Sequence, residues 1–252
     1  MKPRLILTHL PQLIAAASCA AGVKSFYSAA GVNDLGWVLT PTTFLVELLT
    51  RAGFKWESGA GYMSSDHSFL IAASCSGVNF LIAAFLMLAF GWLWKRRSAK
   101  AGWLFLPVSL AAAYLVTILA NTVRISTAMQ IRRIDPELIW LNPDQLHRFE
   151  GIVVYFGFLL LLFVAVERMF LDRGEERPGA RRRRWLLPLA AYYGTTLGVP
   201  LVNGIFRGGL TEAEFLEHAV FVLLIPLVLL ALLAGVRFIR DLRPDLRVRQ
   251  ID

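Results

Sequence analysis

The chain has 252 residues, of which 56% are hydrophobic, and carries a formal net charge of +8. Its mean hydropathy of +0.57 exceeds what a single soluble core of this size uses, which excludes an ordinary soluble domain and assigns the chain to lipid. The positive charge is not a nucleic-acid footprint, because the basic loops lack the interleaved aromatic side chains on which bases stack.

A membrane helix needs about 20 consecutive, mostly apolar residues. Such runs predict about six spans in an all-α membrane bundle, at approximately 5–23, 77–94, 103–120, 151–171, 185–202 and 219–238. The fifth is the weakest, interrupted by Pro188, Gly194 and the pair Thr195 and Thr196. Basic residues sort between the spans. Lys2 and Arg4 precede the first, Lys95, Arg96, Arg97 and Lys100 separate the second and third, and the run Arg181 to Arg184 separates the fourth and fifth. The positive-inside rule then places both termini and these loops in the cytoplasm.

In chain order, the first span opens with Lys2 and Arg4, and Ala16-Ala17-Ser18-Cys19 weakly resembles a lipoprotein cleavage site. His9 and Pro11 interrupt the run expected of a signal core, so a retained anchor is expected. Residues 24–76, 121–150 and 203–218 then face outward. Within the first of these, Trp37 to Leu49 is apolar but too short to span, and reads as an interfacial or re-entrant helix. Gly59-Ala60-Gly61-Tyr62 reads as a flexible turn, and His67 follows Ser64-Ser65-Asp66. A base role for His67, or a local serine triad, is open but disfavoured, because residues crowded together in sequence rarely reach triad geometry.

The segment Ser74-Cys75-Ser76-Gly77-Val78-Asn79-Phe80 opens the second span from outside. Ser74 is expected to cap that helix and to place Cys75 in its first turn, where unpaired N–H groups favour a thiolate. Gly77 leaves room for a substrate backbone. Cys75 as a small buried filler is the competing reading. The third span carries Thr117, Asn121 and Arg124 on one face by their spacing of four and three. Arg132 and Arg133 follow in the loop, and His147 and Arg148 stand just before the fourth span. Glu150, one turn after His147, either orients the imidazole or is an exposed interfacial carboxylate.

Topology alone therefore brings Cys75, Arg124 and His147 to one leaflet. A nucleophile, a proton carrier and a fixed positive charge suffice for acyl transfer. Further along, Gly174 to Arg184 reads as a flexible basic linker against anionic headgroups, and the loop holding Glu212, Glu214 and Glu217 reads as solvated. Neither a nucleotide-cradling Gly-rich loop nor metal-ligand spacing is present in the sequence, so no cofactor and no metal is expected.

In Cys75-Ser76-Gly77 with Val78-Asn79-Phe80, in Asn121-Thr122-Val123-Arg124 and in His147, the chain resembles the exosortase and archaeosortase transpeptidases. The resemblance covers roughly residues 59–171, leaving 172–252 as an additional two-helix region of one integral membrane domain. It implies a membrane cysteine transpeptidase with an outward-facing active-site rim. Cys75 would be the nucleophile, His147 the proton carrier and Arg124 the stabilising cation. Ser76, Gly77 and Asn121 would contact substrate, with Arg132, Arg133 and Arg148 as partners for an acidic group. The substrates implied are exported proteins ending in a Pro-Glu-Pro motif, a transmembrane helix and a basic tail, held among membrane lipids. A small-molecule or lipid transporter component is the alternative, and a non-enzymatic assembly factor a third reading. The absence of charge from the middle of the spans disfavours transport.

Overall fold

The structure, a computed structural model, describes residues 9–95, 103–132, 143–170, 186–198 and 212–241. Arg133, the linker Gly174 to Arg184 and residues 203–211 lie outside the described residues. The fold is mostly helical, with α1 (Leu10–Ala29), α2 (Gly36–Thr50), α3 (Val78–Lys95), α4 (Phe105–Ile131), α5 (Pro143–Phe170), α6 (Leu186–Tyr193) and α7 (Glu212–Asp241). Among the described residues, three segments are long and apolar enough to cross a membrane: Ala73–Leu93, Phe105–Ile131 and Gln145–Arg168. They coincide with the second, third and fourth expected spans. The apolar stretch Ala219–Gly235 within α7 is shorter. Where the first span was expected, α1 is helical from Leu10 and runs past Lys24 to Ala29. Where the fifth was expected, α6 ends at Tyr193 and passes into a π turn, Gly194–Gly198.

The bundle is built around α3, which packs against α1, α4 and α6, while α4 also packs against α2 and α5, and α5 against α7. The centre is filled by large apolar side chains such as Phe85 and Met87 of α3 and Phe156 and Leu159 of α5, all essentially inaccessible. The outward side chains of the helices remain apolar, among them Leu115 and Leu119 of α4 and Leu161 of α5. That inversion of the soluble pattern suits contact with lipid chains.

Helix α2 is the short apolar helix expected at 37–49, and it lies on α4 with Val38, Leu39, Thr42, Thr43 and Val46 buried and Phe44, Leu48 and Leu49 exposed. Its interior Pro41 has no N–H for the Trp37 carbonyl four residues back. The Tyr114 hydroxyl of α4 donates to that carbonyl at 2.7 Å, and the two rings stack at 5.7 Å. The proline gap therefore becomes the attachment point between α2 and α4.

An all-α fold omits one element that is present. Between α2 and α3 the chain forms an antiparallel three-stranded sheet, β1 (Phe54–Glu57), β2 (Gly61–Ser64) and β3 (Leu70–Ile71), in the order β1-β2-β3. Gly59 to Tyr62, expected as a flexible turn, is the β1–β2 connection and the start of β2, with Trp56 opposite Tyr62. The strands do not announce themselves by alternation: β3 has two residues, and β1 and β2, at the four-residue minimum, do not alternate buried with exposed positions. The sheet is tied to the helices at both ends. The Glu47 carboxylate accepts from the Phe54 N–H at 2.7 Å, and Arg132 at the end of α4 donates to the Ser68 carbonyl at 2.9 Å.

Candidate active site

The sheet delivers the chain into a 3-10 turn, Ala73–Ser76, which precedes α3. Cys75 belongs to this turn and not to the first turn of the helix, and Ser74 is exposed and makes no capping bond. The reason is Gly77, whose φ of +69° separates the two elements. That left-handed conformation is cheap only for glycine. A Cβ at Gly77 would stand 3.3 Å from Asn121, Thr117 and Tyr155, so the space the sequence offered to a substrate is occupied by the protein's own α4 and α5.

Those neighbours are the expected polar stripe of α4. Thr117 and Asn121 are fully buried facing the Cys75 turn, and Arg124 lies one turn further on. The Asn121 Nδ2 donates to the Cys75 carbonyl, pinning the turn that carries the thiol. The Asn121 Oδ1 accepts from the Tyr155 hydroxyl of α5 at 2.8 Å. Arg124 Nη1 donates to the same hydroxyl at 3.3 Å, and Arg124 Nη2 meets His147 Nε2 at 2.8 Å. One hydrogen-bonded chain therefore runs from the Cys75 backbone through Asn121, Tyr155 and Arg124 to His147. The Arg124 charge also acts electrostatically on Cys75, Tyr155 and Glu150. Both Cys75 and Cys19 are free thiols.

The histidine tautomer follows from these partners. A guanidinium has donors only, so Nε2 of His147 must present its lone pair to Arg124 and the proton resides on Nδ1. Nδ1 stands 3.8 Å from Glu150 Oε2. Glu150 is not an exposed interfacial carboxylate: it is 5% exposed, and neither of its oxygens makes a hydrogen bond among the described residues. Gly151, beside it, allows the Arg124 side chain to lie against α5, since a Cβ there would reach to 3.2 Å from Nε.

The other expected contacts divide. Ser76 is fully buried with its hydroxyl unpartnered among the described residues. Arg148 lines the cavity beside His147. Arg132 instead holds the Ser68 carbonyl and lies 5.2 Å over the Phe69 ring, bracing the sheet. His67 sits in an exposed turn at φ +55°, away from the cavity lining.

Sequence reasoning passed over Tyr155. The signal was available, because a hydroxyl in an apolar span must find a polar partner. Its ring stacks on Phe80 at 4.9 Å and lies 5.4 Å from the Arg124 guanidinium carbon. Lys24, Tyr27 and Tyr192 were also passed over, and Thr195 and Thr196 were read only as interruptions of the fifth span; all five share with Ser74, Gly77, Arg124 and His147 a cavity of about 500 Å³. A cavity of this size suits a peptide or small-molecule ligand.

The family described as Transmembrane exosortase matches residues 38–165, half of the chain and the whole of the Cys75, Arg124 and His147 constellation. No curated protein and no solved structure matches the chain.

Proposed function

The chain belongs to the transmembrane exosortase family, and from that premise we propose that it is a membrane-embedded cysteine transpeptidase acting on the C-terminal sorting signal of exported proteins. The signal is of the Pro-Glu-Pro type, followed by a transmembrane helix and a basic tail. The protein resides in the bacterial inner membrane with about six spans, both termini cytoplasmic and the site on the periplasmic side, an orientation supported by the distribution of its basic residues.

In the reaction, Cys75 loses its thiol proton to His147, and the sulfur bonds to the scissile carbonyl carbon. Arg124, with backbone N–H groups of the Cys75 turn, stabilises the resulting oxyanion by charge-assisted hydrogen bonds. The C–N bond breaks as His147 returns the proton to the departing amine, leaving a thioester. An acceptor nucleophile gives its proton to His147 and displaces the thiol, so Cys75 is regenerated. Because His147 Nε2 is engaged by Arg124, the first proton transfer requires that contact to open when substrate arrives. Catalytic hydrogen bonds commonly form only in the substrate complex.

The observation that carries this reading is the chain of hydrogen bonds joining the Cys75 turn to His147 through Asn121, Tyr155 and Arg124. It joins the turn before α3, which carries Cys75, to Arg124 in the later part of α4 and His147 at the start of α5, which supports their acting together. Replacing Cys75 with Ala is expected to abolish processing of a tagged sorting-signal substrate at unchanged protein level, read by immunoblot. Normal processing by Cys75→Ala contradicts the proposal.

A further inference from the structure

One wall of the cavity beside the candidate catalytic cluster is built by segments outside the family match. Lys24 and Tyr27 come from α1, and Tyr192, Thr195 and Thr196 from α6 and the π turn, all beyond residues 38–165. Among the described residues its lining contains Lys24, Arg124 and Arg148 together with His147, and no carboxylate. Such a cavity favours an anionic guest, since each cation gains by meeting a negative charge away from bulk water.

The cations are not equivalent. Arg124 is spent on Tyr155 and His147. Lys24 is half-buried and held by neutral groups: its Nζ donates to Asn79 Oδ1 at 2.9 Å and lies 5.2 Å from the Tyr27 ring centre. Asn79 stands in the first turn of α3, two residues beyond Gly77. The bond therefore fixes the ammonium next to the turn that carries Cys75. An ammonium has three donors, and Asn79 uses one. Among the described residues no carboxylate meets its charge while its position is set, the condition for recognising a ligand rather than stabilising a fold.

We propose that Lys24 is the specificity cation of this cavity and binds an acidic side chain of the peptide substrate beside the bond that Cys75 attacks. The inference rests on the sorting-signal reading above. In that reading the guest is the glutamate of the motif, and segments outside the family match supply its recognition.

The test uses the full chain in lipid nanodiscs and two synthetic probes, each with an apolar helix and basic tail, one carrying Pro-Glu-Pro and its twin Pro-Gln-Pro. The intact protein is expected to prefer the Glu probe. Lys24→Gln is expected to raise the KM for that probe roughly tenfold, to the level of its twin, while Lys24→Arg keeps the preference. A Lys24→Gln protein that discriminates the probes as well as the unaltered one overturns the proposal. A second measurement requires no change at Lys24. In the Cys75→Ala protein, which is to hold the Glu probe uncleaved, a carbodiimide is expected to join the Lys24 amine to the glutamate carboxyl, with the amide located by mass spectrometry. Coupling that falls only on other lysines also overturns it. Both readouts concern binding, so failure of Cys75 as nucleophile appears separately, as continued cleavage by Cys75→Ala.

Discussion

At the scale of single residues, Tyr155 joins more of the site than any of the three groups expected to perform chemistry. Its hydroxyl donates to Asn121 and accepts from Arg124, and its ring stacks on Phe80. Tyr155→Phe keeps the stack and removes the hydroxyl, leaving the fully buried Asn121 oxygen without its partner. The expected cost is about 1 to 3 kcal/mol, read as a lower unfolding temperature in detergent, together with slower processing because Arg124 loses one of its two supports. An unchanged unfolding temperature contradicts the assignment. Gly77 is the second decisive residue. Gly77→Ala must hold a side chain at φ +69° and place its Cβ 3.3 Å from three neighbours. A loss of about 1 to 3 kcal/mol is expected, with the Cys75 turn displaced and alkylation of its thiol altered. A variant as stable as the parent contradicts the stated geometry.

At the scale of elements, the helices that carry the site were legible because their apolar runs are long, and α2 because its run is too short to span. The stripe of Thr117, Asn121 and Arg124 followed from helical spacing, and the structure places it against the Cys75 turn. The turn itself was misread. Ser74 before an apolar run looks like a cap, but a left-handed glycine three residues later ends one element and begins another. A cap pattern cannot reveal that. The small sheet was equally hidden, its strands being two to four residues long. Its β2–β3 connection supplies a pH prediction. The carboxyl of Asp66 is held at about 2, first by the Ser64 side chain and then by the side chain and backbone of Ser68. Because the folded value lies below the ordinary one, the support it gives the turn is complete above about pH 4 and is lost as pH falls through about 2. Carbon-13 NMR of labelled aspartate is expected to show this one carboxyl titrating well below its peers. Titration near the ordinary value contradicts the hydrogen bonding, and Ser68→Ala is expected to move it upward.

At the scale of the whole molecule, antiparallel packing brings the start of α3, the later part of α4 and the start of α5 to one end of the bundle. Chain order and span direction were sufficient to foresee that meeting. They could not foresee that α1 and the π turn after α6 close the cavity, because those residues are distant in sequence and carry no motif. The weakness noted in the fifth span, at Gly194 with Thr195 and Thr196, has a structural counterpart in that π turn, where both threonine hydroxyls bond back to backbone carbonyls. An interruption of the helix ladder thereby becomes cavity wall. The proposed activity depends on covalent chemistry at Cys75. The most direct measurement is mass spectrometry of the protein quenched in acid during turnover of the Pro-Glu-Pro probe. The expected result is a hydroxylamine-labile adduct, the acyl part of the probe, on the peptide containing Cys75. Turnover at full rate with no adduct at Cys75, and undiminished after that thiol is alkylated, contradicts it.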